Sequence, residues 1–157
     1  MDSRKVIINL SNQDTLIRVL GLSRRMFKSN FFMGLLNTIW FILLESCDII
    51  DANTLDDIIA LTKSYCQKSK IISRIIIGMK IITYIHFHFH WKTEITKQCL
   101  LYYLTHPLPR IRAVTSEELF IVAQTELKDC EAFLNKLLEI DWLVGFLKIK
   151  SNTYCYE

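Results

Sequence analysis

Apolar side chains recur along this chain at intervals of three and four, the spacing that lines one face of an α-helix. The first such stripe is Leu16, Val19 and Leu20 with Leu22 or Phe27, and Ser11 and Asp14 precede it in the manner of a capping box, which predicts a helix over 13–27. Asn30 is placed to cap a second segment, Ser29 to Leu44, whose near-complete lack of polar residues predicts burial on most sides. Asn53 and Asp56 mark a third start, followed by Leu55, Ile58, Ile59, Thr62, Tyr65 and Cys66. From Lys70 to Ile85 the stripe is Ile72, Ile75, Ile76, Met79 and Ile82; isoleucine density alone reads as strand, but length and period decide for helix. After a break over 86–91, a helix from Thr93 to Thr105 stops before Pro107, because a proline pushes the preceding residue out of helical geometry. Another starts near Pro109, and a last one carries Leu127, Cys130, Leu134, Leu137 and Leu138 ahead of a tail with Trp142, Phe146, Tyr154 and Tyr156. The pattern predicts at most seven helices, joined by short turns.

Composition agrees with this picture. The chain has 157 residues, room for one folded unit over 1–157, and only 4 glycines and 2 prolines, too few for the tight corners of an all-β fold. A net charge of +3 is spread over 19 basic and 16 acidic residues, so no single-sign field points to nucleic acid or anionic lipid. Five cysteines, an odd number without a Cys-x-x-Cys pair, fall within or beside apolar helical patterns and suit reduced thiols in the cytosol. The start lacks a secretory signal pattern. The uncharged stretch Ser29 to Leu44 is shorter than the roughly 20 residues a membrane span needs and has Asn37 in its middle, so it reads as a buried helix. No membrane or nucleic-acid partner is expected.

Helices of similar length joined by short loops describe either a compact bundle or stacked antiparallel hairpins, each burying its apolar face against its neighbours. The segment His106-Pro107-Leu108-Pro109-Arg110-Ile111-Arg112-Ala113-Val114-Thr115 favours the second. Its order, a proline, an apolar residue, an arginine and a small residue, resembles the start of the second helix of a HEAT repeat, with the proline in the first turn where a missing N–H costs nothing. The expected fold is therefore all-α, a HEAT/armadillo-like α-solenoid segment in which Pro109, Ile111, Arg112 and Thr115 are structural.

The same segment, extended through Ser116 to Phe120, resembles the C-terminal region of the tubulin-folding cofactor D family of HEAT-repeat chaperones. So do Asn37 to Ile50 (NTIWFILLESCDII), the Leu55 to Ser69 helix, Lys97 to Thr105 (KQCLLYYLT) leading into Pro109-Arg110-Ile111-Arg112, and Asp141-Trp142. Together these cover most of residues 30–142. Family members are many times longer, and the tail after Trp142 departs from their pattern. The resemblance implies a cytoplasmic scaffold of the microtubule cytoskeleton that captures β-tubulin, joins other tubulin-folding cofactors in assembling the αβ heterodimer, and engages an Arf-like small GTPase.

Other chemistry is thinly represented. His86, His88 and His90 alternate with Phe87, Phe89 and Trp91, and on an extended segment period two would set three imidazoles on one side, as a metal site needs; the competing reading is a loop with its aromatics packed inward and its histidines solvated. No fuller ligand set accompanies them. Nothing marks a nucleophile beside a base, Cys99 and His106 being seven residues apart, and the four glycines are isolated rather than gathered in a phosphate loop. The expectation is a binding protein without cofactor or catalytic activity. Arg112 reads as a structural donor to carbonyls or to an acidic side chain of an adjacent repeat. Arg110, with Lys92 and Lys97, reads as the contact for an acidic partner such as tubulin. Arg24, Arg25 and Lys28 sit at a helix C-terminus, where the dipole favours cations in any case. The alternatives are a different partner for the same kind of adaptor, including a nucleic-acid-associated one, and a histidine metal protein. A final expectation is a partly open apolar helix over 29–44, and hence a sticky N-terminal half.

Overall fold

The computed structural model describes residues 3–45, 50–89, 93–126, 135–136 and 139. Over these the chain is helical, without strands: α1 (Ser3–Met26), α2 (Phe32–Glu45), α3 (Ala52–Thr62) running on into a π-helical turn (Lys63–Gln67), α4 (Ile72–His88), α5 (Thr93–Leu104) and α6 (Pro109–Glu126). No described helix is long and apolar enough to cross a membrane. The helix expected over 127–138 lies, except for residues 135 and 136, outside the described residues, as does the tail.

The chain divides into two compact units, Met1–Ile81 and Ile82–Glu157. In the first, α1 packs on both α2 and α3. The turn over 27–31 is too short for anything but antiparallel neighbours. Gln13 hydrogen-bonds Asp51, and Arg24 pairs with Asp57 at 2.5 Å, so α1 and α3 run in the same general direction. That ion pair is about half exposed on both sides and contributes little. The core beneath it is apolar: Leu16, Val19 and Leu20 of α1 meet Phe32, Leu36, Ile39 and Leu43 of α2 and Leu55, Ile58 and Ile59 of α3, all buried.

Two expected helix starts are corrected. Ser11 and Asp14 lie inside α1, eight and eleven residues past its first residue, so they cap nothing. The N-cap of α3 is Asp51 rather than Asn53: its carboxylate accepts from the Thr54 N–H at 2.9 Å and from the Thr54 hydroxyl at 2.7 Å. The Thr54 N–H holds the Asp51 carboxyl below the usual carboxylate range. The burial expected for the uncharged segment also differs. In α2 one face is buried, while Phe31, Phe41 and Leu44 are 72%, 59% and 47% exposed.

An aromatic cluster closes this unit where α1 turns into α2. Phe27 stacks on Tyr65 at 4.5 Å between ring centroids, Phe32 meets Tyr65 edge-on, and the Arg74 guanidinium lies 5.0 Å over the Phe32 ring. Arg74 also donates to the carbonyls of Phe27 at 2.9 Å and Ser29 at 3.3 Å, tying the start of α4 to the α1–α2 turn. Nearby, α4 meets the end of α3 at Gly78. A Cβ there would stand 2.5 Å from Cys66 Cβ and 3.1 Å from Thr62 Cγ2, closer than real side chains come. The backbones approach this closely because residue 78 has no side chain. Burial pushes the Cys66 thiol up to about 12, against an opposing pull from Arg74, so it is an inert core group at neutral pH.

Gly78→Ala is therefore expected to destabilise the chain by about 1–3 kcal/mol, overcoming the helix propensity alanine adds. Gly21→Ala, where a Cβ meets nothing within 4 Å, is expected to stabilise it by up to about 1 kcal/mol. Urea denaturation of the two variants checks both signs.

Candidate partner-binding turn

In the second unit α5 and α6 form a hairpin. Its connection is built from local hydrogen bonds. The Thr105 N–H donates to Leu101 O and the His106 N–H to Tyr103 O, ending α5. Pro109 stands at the first position of α6, where the backbone lacks donors to lose, and the Ile111 N–H donates to Leu108 O at 3.0 Å. His106 is buried in the bend, and its Nδ1 accepts the Leu108 N–H at 3.1 Å, which requires that nitrogen to be unprotonated.

Arg112 is 1% exposed, the bulkiest of the fully buried side chains. It donates to His106 O at 2.8 Å and Pro107 O at 3.1 Å, carbonyls of its own turn. The planar guanidinium suits this grip because its donors are fixed in a fork. Ile111 is buried beside it, and the buried Thr115 hydroxyl donates to Ile111 O at 2.6 Å, one helical turn back. Pro109 is exposed.

Arg110 and Lys97 are both exposed. They are not adjacent: Lys97 lies seven residues before the end of α5, about 10 Å of helix rise below the bend that carries Arg110. Lys92 lies outside the described residues. Of the other basic group, Arg24 engages Asp57 and Lys28 stands over the Phe27 ring at 5.6 Å.

The histidine segment is corrected in conformation. Helix α4 continues through His88, so His86 and His88 project from different sides of a helix rather than from one side of an extended chain. His86 Nδ1 hydrogen-bonds the buried Thr96 hydroxyl at 2.9 Å, joining α4 to α5; His88 stacks on Tyr84 at 3.9 Å and its Nδ1 bonds Tyr84 O at 3.1 Å. Phe89 is buried. No group of three metal-ligating side chains occurs among the described residues, and His90 lies outside them.

Comparison with known protein families, with curated proteins and with solved structures found no match to this chain.

Desolvation, with a smaller contribution from Arg112, holds His106 below its ordinary value of 6.5. A depressed histidine keeps its folded-state contribution above the unfolded pKa and loses it as pH falls, because the unfolded chain takes up the proton first. Stability is expected to decline as pH drops below about 6.5 towards the folded-state value, and His106→Asn, which retains an acceptor without a titrating proton, is expected to flatten that decline in thermal melts. At fixed pH, Arg112→Met is expected to cost about 2–3 kcal/mol by orphaning two carbonyls, while the exposed Arg110→Met stays within about 0.5 kcal/mol.

Proposed function

We propose that this chain is a protein-binding segment of stacked HEAT-type helical hairpins, serving as one end of a tubulin-folding scaffold. On this reading it contributes to capture of β-tubulin and to αβ-heterodimer assembly, with other tubulin-folding cofactors and an Arf-like small GTPase as further partners. It works in the cytoplasm at the microtubule cytoskeleton, by binding rather than catalysis and without a cofactor. The all-helical architecture supports a binding scaffold.

The observation that carries the reading is the division of labour across two residues at the α5–α6 turn. Arg112 is buried and committed to the turn's carbonyls, whereas Arg110 is exposed at its rim. A charge presented on a turn whose geometry is held from beneath is a pre-organised contact for an acidic surface, which tubulin provides. Lys97 extends the basic character along α5.

Co-elution of the purified chain with αβ-tubulin, and separately with an Arf-like GTPase, tests this at low and moderate salt. A complex that survives moderate salt and weakens about tenfold or more in Arg110→Glu, with helicity and melting temperature unchanged, is the expected result. Failure to bind either partner would remove the tubulin reading. Affinity for nucleic acid that falls steeply with salt would replace it with the alternative adaptor.

A further inference from the structure

The outward face of α2 is uncharged along most of its length and carries apolar side chains on either side of a polar pair. Gly34 and Phe41 stand seven residues apart, two turns along nearly the same line, with Thr38 and Asn37 between them and Leu44 at the far end; all five are exposed. Phe31, just ahead of the helix, is more exposed still. At the Gly34 end lies an open apolar hollow of about 370 Å³, lined by Met26, Phe31, Gly34 and Leu35. A Cβ on Gly34 would meet nothing within 4 Å, so its missing side chain leaves surface rather than accommodating a neighbour within the chain. One end of the stripe thus offers a depression and the other a protruding ring.

We infer that this face pairs with the same face of a second copy of the chain, the two α2 helices running antiparallel about a two-fold axis between Asn37 and Thr38. A two-fold interface requires a self-complementary patch, and this register supplies one. Phe41 of each copy sits over Gly34 of the other and enters its hollow, against the Phe31 that lines it. Thr38 and Asn37, the polar pair, meet across the axis, where each can bond its own kind. The ends match in charge as well, since the exposed Lys28 of one copy approaches the exposed Glu45 of the other. The glycine lets the two backbones approach closely enough for the ring to seat. One helix face of 14 residues is a small interface, so the dimer dissociates at roughly micromolar concentration. The pairing is independent of the tubulin reading, which concerns the opposite unit.

Sedimentation velocity of the full chain over a wide concentration range, with exchanged residues, tests the register. The unaltered chain is expected to pass from monomer to dimer and no further. Gly34→Phe alone, which fills the hollow, and Phe41→Gly alone, which removes the ring, are each expected to weaken association at least tenfold. Combining them in one chain exchanges hollow and ring, and because each copy then carries both changes the dimer is expected to return. Thr38→Glu, which opposes two carboxylates at the axis on an exposed position, is expected to abolish it without altering the circular dichroism spectrum. A chain that remains monomeric, associates into open-ended oligomers, or gains nothing from the combined exchange over the single ones would overturn the proposal. The last of these outcomes would leave the α2 face to a different helix.

Discussion

Arginine donating to backbone carbonyls at inter-helix turns is the interaction on which the rest of this structure depends. Among the described residues it is found in both units. Arg74, in the first turn of α4, grips the Phe27 and Ser29 carbonyls of the α1–α2 turn, and Arg112, in the first turn of α6, grips those of His106 and Pro107. The need for it follows from how these helices end. The last carbonyls of any helix have no partner within it, and a left-handed residue, usually glycine, is the common remedy. No described residue has a positive φ, glycines included. The carbonyls at the turns must find donors elsewhere. Ser29 and Thr105 hydroxyls satisfy some locally, bonding Met26 O and Leu101 O, and the two arginines take four more.

This arrangement makes each turn depend on an arginine side chain, distant in sequence for Arg74 and local for Arg112, rather than on its own backbone conformation alone. Arg74 has a further role, since its guanidinium also covers the Phe32 ring. The aromatic cluster of Phe27, Phe32 and Tyr65 would otherwise cap the unit with apolar surface alone. In the second unit His106 performs the complementary task. It supplies an acceptor for the Leu108 N–H. A buried cation thus serves two carbonyls of the connection and a buried imidazole nitrogen one of its N–H groups.

How far the sequence foretold this depends on the range of each interaction. Helix stripes are local and periodic, so the buried faces of α1, α3 and α4 were legible from residues such as Leu16, Ile58 and Ile75, whereas α2, read as buried on most sides, leaves one face exposed. Starts were less so. Asp51 takes the cap of α3, two residues ahead of the start that Asn53 and Asp56 marked, because a cap is decided by one residue's backbone geometry and not by a period. The extension of α4 through His88 ran against the alternation of His86, Phe87, His88 and Phe89, which mimics a strand. There the stack of His88 on Tyr84, one turn back, forms only once the chain is helical, and the contact of His86 with Thr96 reaches into the next helix. Gly78 is the clearest case of illegibility: an isolated glycine within an isoleucine-rich helix carries no mark of the Cys66 and Thr62 side chains across from it. Arg74 is similar, because nothing near it in sequence shows that its targets lie more than forty residues earlier.

The turn sequence around Pro109 was legible for a different reason, which bears on what the protein presents to others. Proline, Ile111, Arg112 and Thr115 each meet a need set within the same ten residues: an N–H that is not required, an apolar face, two carbonyls and a hydroxyl partner one turn back. A segment that satisfies itself in this way holds its shape without help from a ligand. Arg110 is the charged residue in it that none of these needs explains, and it is exposed in the first turn of α6. Binding energy at such a position is not spent on ordering the backbone. The two arginines, two residues apart, thus divide the turn between them: the buried one sets the geometry, and the exposed one is displayed by it.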